Sequence, residues 1–149
     1  MAQIDDFDVA DFRQSVAKNV PNEAVRHAIY ELLRFAENYS DRIKGGAAKL
    51  GSFHYQINVK NRTLSLFTCD ASGCISVSLG NFVGWYPIVP GPLIAKLRST
   101  LARIPGFESF SKDYPSRPGF LIAQTIVDPN IMGSFQRAIR GFQQDAQAS

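Results

Sequence analysis

The sequence contains few of the side chains that build most metal and catalytic sites. It has two cysteines and two histidines, whereas a structural zinc site takes four ligands at spacings that His27 and His54 do not have. It has no Asp-x-Lys or Glu-x-Lys pair, no Gly-x-Ser-x-Gly turn and no glycine fingerprint for a phosphate or a dinucleotide. Restriction-type nucleases, serine hydrolases and dinucleotide-binding folds are therefore not indicated. We expect no metal and no cofactor, and we favour a non-enzyme over an enzyme.

Long apolar runs are missing as well. No window approaches the roughly 20 apolar residues that span a bilayer. Four aspartates among the first eleven residues stand where a signal peptide would have a basic start. The sequence therefore predicts a cytoplasmic protein without a membrane partner. In that compartment Cys69 and Cys74 are expected as reduced thiols. Because they flank a turn, a strained disulfide between them is the alternative.

The composition is that of one globular domain. Of the 149 residues, 45% are hydrophobic and 19% are charged, and no repeat or linker divides the chain. We therefore treat residues 1–149 as a single α+β domain. Apolar residues at helical spacing predict N-terminal helices over 8–18 and 22–39, separated at Pro21 and packed on the sheet. Pro92 and Pro129 mark the starts of two further helices.

Residues 52–82 alternate apolar and polar side chains in three short segments. A period of two places successive side chains on opposite faces of a strand, so the pattern predicts an antiparallel meander with turns near Lys60 and Gly73. An apolar, β-branched run near 120–127 predicts one more strand. We expect an α+β fold in which an antiparallel sheet of three to four strands carries helices on its apolar face. Its second face is expected to be polar and uncharged.

Charged and aromatic residues supply the candidate binding residues. Between Asp41 and Asp70 every charged residue is a lysine or an arginine, a pattern that favours an anionic partner. Trp85 and Tyr86 lie in a proline-containing aromatic segment of the kind that anchors protein interfaces. The predicted partner-binding residues are Trp85, Tyr86, Lys44, Lys49, Lys60 and Arg62.

Several uses of the polar face remain open. The chain's own irregular segments, such as 82–90 and 107–119, cover it, or a protein partner or a second copy docks on it. As a nucleic-acid platform, it would stack bases on Tyr86 or Phe67. The enzyme alternative pairs His54 with Cys69 or Cys74 as base and nucleophile, on strand parity alone.

The stretch from Leu64 to Val77, with the later helix and Tyr114-Pro115, resembles small uncharacterised bacterial α+β modules found alone or beside restriction-type nuclease domains. The resemblance extends over residues 44–143, although the segment 69–73 replaces the aromatic-Asp-Gly turn of that pattern. It implies an accessory or recognition module and no catalytic residues. We therefore predict a non-catalytic binding or accessory module for a protein or nucleic-acid partner. A small enzyme and a self-associating structural protein are the alternatives.

Overall fold

The computed structural model describes residues 2–78, 85, 88–110 and 119–149. Its strands are β1 (Gln3–Asp5), β2 (Arg42–Gly45), β3 (Ser52–Val59), β4 (Arg62–Asp70), β5 (Cys74–Val77) and β6 (Gly119–Ile122). Its α-helices are α1 (Val9–Asn19), α2 (Glu23–Tyr39), α3 (Gly91–Ala102) and α4 (Pro129–Ala148). Two 3-10 segments, η1 (Glu108–Phe110) and η2 (Ala123–Ile126), complete the described elements. The architecture is α+β.

Three of the helices begin where a side chain satisfies free backbone amides of the first turn. The Asp8 carboxylate accepts from the Asp11 amide at 3.0 Å, and the Asn22 carbonyl oxygen accepts from the Val25 amide at 3.1 Å. These bonds cap α1 and α2, and Asp128 caps α4 in the same way. The ends of α1 and α2 lie within one residue of the predicted ranges 8–18 and 22–39.

The six described strands form one mixed sheet in chain order, from β1 to β6. β1 and β2 are parallel, and the other neighbouring pairs are antiparallel. The helices α1 and α2 connect the parallel strands, because parallel pairing needs a long crossover. The predicted antiparallel sheet of three to four strands is therefore wrong in strand number and in strand direction.

The missed strands are too short to show an alternating pattern. β1 has three residues and β2 has four, and β2 is fixed by its partner, with Ile43 opposite Tyr55 of β3. The predicted strand at 120–127 is shorter than expected, because β6 ends at Ile122 and the chain turns into η2. The third meander strand ends at Val77, and residues 79–82 of its predicted range lie outside the described residues.

One face of the sheet, the apolar face, carries the core. Aromatic side chains of β3 and β4 on this face are 0% exposed, and each contacts a ring from a different helix. The contacts, between ring centroids, are Phe53–Phe12 of α1 at 5.4 Å, Tyr55–Phe35 of α2 at 5.2 Å and Phe67–Phe135 of α4 at 5.4 Å. As predicted, helices pack on the apolar face.

A β-bulge at Leu66 changes which residues of β4 face the core. Tyr55 pairs with Phe67, but the next residue, Gln56, pairs with Ser65, so Leu66 has no partner of its own on β3. A strict period of two would put Phe67 on the same face as Ser65. Because of the extra residue, Phe67 instead stacks on Tyr55, with 5.1 Å between ring centroids. The prediction that Phe67 stacks bases on the polar face is therefore wrong.

The two hairpin turns follow from their residues. Lys60 and Asn61 have φ values of 50° and 65°, as in a two-residue type I′ turn, whose twist matches that of the flanking strands. In the next turn Asp70 Oδ1 accepts from the Ser72 amide at 2.9 Å, and Gly73 adopts a positive φ of 94°. Both turns lie where the alternation predicts them.

Candidate functional site

The second face of the sheet, the polar face, carries the hydrogen-bonding side chains of the strands. Its positions follow from the register and from alternation with the core residues. They are Arg42 and Lys44 on β2; Ser52, His54, Gln56 and Asn58 on β3; Thr63, Ser65, Thr68 and Asp70 on β4; and Cys74 and Ser76 on β5. Most of these side chains are neutral, so the face offers hydrogen bonds more than charge.

Cross-strand hydrogen bonds hold side chains of the polar face in fixed orientations. His54 Nδ1 and Thr68 Oγ1 lie 2.7 Å apart, and Gln56 Nε2 donates to Ser65 Oγ at 2.9 Å. Both bonds join residues that are directly opposite in the β3–β4 register. The face is therefore pre-ordered, and a partner would meet side chains already held in place.

His54 is the titratable ring of this face. Burial lowers its pKa, and the charge of Lys44, which lies opposite it on β2, lowers the pKa further. The ring is therefore neutral near pH 7. The connection between β2 and β3 passes close to Nε2 of this ring. A Cβ built on Gly46 would lie 3.1 Å from Nε2 and would collide with Ser52 Oγ. Gly46 lets the β2–β3 connection approach the ring.

Gln56 carries an unsatisfied polar atom of this face. Its side chain is 9% exposed, and its Oε1 is buried without a hydrogen-bond partner among the described residues. It lies between Arg42 on β2 and Ser65 on β4. A buried acceptor without a donor costs about 1–3 kcal/mol, so Gln56 occupies this position at a cost in stability.

The predicted basic residues do not form one patch. Lys44 is exposed on the polar face, Lys49 lies in the connection before β3, and Lys60 and Arg62 lie at the hairpin after it. β3 has eight residues, so its ends are about 23 Å apart at roughly 3.3 Å per residue. The sequence pattern placed these charges near each other along the chain, but the strand separates Lys49 from Lys60 and Arg62.

The predicted binding set contains two aromatic residues, Trp85 and Tyr86. The structure describes Trp85, and this residue is not at the surface. Trp85 is 2% exposed and stacks on Phe142 of α4, with 5.3 Å between ring centroids. Its ring belongs to the core and has no surface to offer a partner, which corrects its predicted role as an anchor. Tyr86 lies outside the described residues.

The two thiols lie on opposite faces of the sheet. Cys69 pairs with Ile75 on the apolar face and is 0% exposed, whereas Cys74 is exposed on the polar face. Burial raises the pKa of both thiols, and the charge of Asp70 adds to this effect. Both cysteines are free. Neither the alternative disulfide nor a Cys69–His54 pair fits this geometry.

Cys74 shares the polar face with His54 but lies far from it. His54 is opposite Thr68, and Thr68 is opposite Ser76, two residues beyond Cys74 on β5. Two strand spacings across and two residues along place the Cα atoms of His54 and Cys74 about 12 Å apart. The predicted alternative of a cysteine nucleophile activated by His54 is therefore not supported by the structure.

The sequence pattern did not single out Gln56 and Thr68 as site residues. Their roles depend on which residue of β4 lies opposite each residue of β3, and the bulge at Leu66 sets that register. It also did not single out Arg13 and Arg34, which line a groove on the helical layer. Arg13 of α1 stacks on the ring of Tyr30 of α2, and a contact between two separate helices leaves no signal in local spacing.

The part of the chain that the structure describes, residues 2–78, 85, 88–110 and 119–149, bears on two further classes of function. No helix there combines the length and the apolar character needed to cross a bilayer. No group of three or more His, Cys, Asp or Glu side chains in the same residues is arranged to hold a metal ion. No family model, no curated protein and no solved structure matches this chain.

Proposed function

We propose that the protein is a non-catalytic binding module that docks a protein partner on the polar face of its sheet. One observation carries the proposal: neutral hydrogen-bonding side chains on this face are held in fixed orientations, His54 by Thr68 and Gln56 by Ser65. The mainly neutral chemistry of the face supports recognition by hydrogen bonds and shape.

The same face is less suited to nucleic acid. A base platform needs exposed aromatic rings, and no Phe, Tyr or Trp side chain of β1 to β5 lies on the polar face. Its basic residues, Arg42 and Lys44, are accompanied by Asp5, which lies 3.9 Å from Arg42. Phosphate contacts dominate nucleic-acid affinity, and this arrangement supplies few of them.

Catalysis on this face lacks a complete set of groups. The imidazole of His54 contacts the Thr68 hydroxyl at 2.7 Å, but a nucleophile–base pair works when a third group orients the base. Among the described residues no carboxylate is hydrogen-bonded to His54 Nε2. A binding function needs no such group.

Site-specific photo-crosslinking in cells tests the proposal. A benzoylphenylalanine placed at Lys44 or Thr63, both exposed on the polar face, should capture one and the same protein. Matched controls carry the crosslinker at Lys18 of α1 or Arg137 of α4, which are exposed on the helical layer. The captured protein should then bind the purified chain, and Ser76→Arg, which adds a large charge to the face, should weaken this binding at least tenfold.

Three outcomes would overturn the proposal. Equal capture from the control positions would mean that the captured protein does not bind specifically to the polar face. Capture of nucleic acid, with an affinity that falls steeply with salt, would favour a nucleic-acid partner. Capture of the chain itself, with a dimer in light scattering, would favour the self-associating alternative. An Arg137→Gln variant, which changes charge on the helical layer, controls for non-specific effects on partner binding.

A further inference from the structure

A groove on the outer side of the helical layer is a second candidate site. It lies between α1, α2 and η2 and has a volume of about 590 Å³, which is in the size range of small-molecule sites. Most of its lining comes from α2, with Arg13 from α1 and Ile126 from η2, whereas the buried stripe of α2 packs on the apolar face of the sheet. The groove is therefore separate from the polar face and independent of the proposed function.

An arginine and a tyrosine from different helices form one wall of this groove. The guanidinium carbon of Arg13 in α1 lies 4.3 Å from the ring centroid of Tyr30 in α2. The Tyr30 hydroxyl donates to the backbone carbonyl of Arg13 at 3.3 Å. These two contacts hold the Arg13 side chain over the ring, so less side-chain entropy is lost when an anion binds it.

A second arginine lies one helical turn from the tyrosine. Arg34 is four residues after Tyr30 on α2, and residues at this spacing are neighbours on a helix surface, about 5–6 Å apart at Cβ. Neither Arg13 nor Arg34 makes an ion pair with a carboxylate in the described part of the chain. Glu31 is the acidic residue among the described residues that line the groove, so the two arginines leave a net positive charge.

The rest of the lining is one histidine and an apolar wall. The His27 ring of α2 lies 6.4 Å from the Tyr30 ring, between centroids. Ala24 and Ala28 of α2, with Ile126 and Val127 beside them, form the apolar wall. Two unpaired guanidinium groups beside an aromatic and aliphatic wall match a ligand that has an anionic end and an organic body. Arginine binds phosphate oxygens through two parallel hydrogen bonds, and the volume exceeds what an inorganic ion alone would fill.

We propose that this groove binds a phosphate-bearing small molecule of about nucleotide size. The phosphate lies between Arg13 and Arg34, and the organic body lies against Tyr30 and Ile126. Glu31 opposes the bound charge and limits the affinity. This arrangement needs no metal ion and no contribution from the sheet.

Isothermal titration calorimetry at low salt tests the site, with adenosine monophosphate, inorganic phosphate, adenosine and citrate as probes. Adenosine monophosphate should bind more tightly than inorganic phosphate, and adenosine should bind at least tenfold more weakly than its monophosphate. Arg34→Gln should weaken binding of the monophosphate at least tenfold. Glu31→Gln should tighten it several-fold, because it removes the opposing charge.

The matched control is Arg103→Gln, which removes an exposed arginine near the end of α3 and should leave binding unchanged. The Arg34 side chain takes part in none of the ion pairs of the described residues, so its variant should fold normally, as circular dichroism would verify. The proposal is overturned if neither phosphate probe binds. It is also overturned if citrate binds as tightly as the monophosphate, or if Arg103→Gln and Arg34→Gln weaken binding equally.

Discussion

Replacing Tyr55 with phenylalanine would remove one buried hydrogen bond and leave the ring in place. The ring lies between Phe35 and Phe67, at 5.2 Å and 5.1 Å between centroids. Its hydroxyl donates to Gln143 Oε1 of α4 at 2.6 Å. Gln143 is 3% exposed, and its Nε2 is already engaged with the Tyr39 carbonyl at 3.0 Å. This bond joins the sheet to the C-terminal helix inside the core.

The cost of Tyr55→Phe follows from the group that the substitution leaves behind. Gln143 Oε1 stays buried without its donor, which costs about 1–3 kcal/mol. The ring still fills its space, so no large cavity adds to this cost. We expect a loss of about 2 kcal/mol in the free energy of unfolding, which corresponds to about 4–8 °C in Tm for a chain of this size. Urea unfolding followed by circular dichroism should show an unchanged m value.

Two further variants test the reasoning behind this prediction. Tyr39→Phe removes a hydroxyl from a residue that is 47% exposed, and it should change stability by less than about 0.5 kcal/mol. Gln143→Met completes a double-mutant cycle with Tyr55→Phe. The double variant should lose about 1 kcal/mol less than the sum of the single losses. Tyr55→Phe at wild-type stability, or strictly additive losses, would refute the hydrogen bond as a stabilising link.

Three more predictions concern the backbone, the thiols and the imidazole. Gly45→Ala should lower the free energy of unfolding by more than about 2 kcal/mol, because the new Cβ collides with the backbone before α1. Gly141→Ala, with no atom within 4 Å of the new Cβ, should stabilise α4 and raise the free energy of unfolding in urea by about 0.5–1 kcal/mol. Cys74 should react with a thiol reagent in the native protein and Cys69 only after unfolding, as peptide mapping would show; equal rates would contradict the assigned faces. His54 has a folded pKa below its usual value of 6.5. Stability should therefore be fully present above about pH 6.5 and fall as the pH drops through the folded pKa, with a smaller slope in His54→Gln.

The helices could be predicted because their signals are local. Asp8 and Asn22 cap their own helices within three residues, and each apolar stripe repeats inside a single element. The same holds for the hairpin turn at Lys60 and Asn61, whose positive φ values follow from the loop length between two strands. Short-range physics is sufficient for such elements.

The added strands and the burial of Trp85 could not be predicted in this way. β1 and β2 are defined by pairing between residues about 40 positions apart in the sequence, such as Ile4 with Ile43. A strand of three or four residues is too short to show an alternation of apolar and polar side chains. Trp85 is buried because Phe142, far along the chain, offers a ring to stack on. A composition typical of interfaces is also typical of a core, and tertiary contacts decide between them.

A single bulged residue determined what the polar face can do. If β4 paired with β3 in a regular ladder, without the bulge at Leu66, Phe67 and Cys69 would lie on the polar face. There they would provide an aromatic platform and a thiol opposite β3 near His54. With the bulge, both side chains enter the core, and Thr68 becomes the partner of His54. The polar face therefore carries hydroxyl and amide groups, and it carries neither the Phe67 ring nor the Cys69 thiol. Those groups suit the hydrogen-bonded docking that we propose, and the register of β3 and β4 decides more about them than the composition of either strand does.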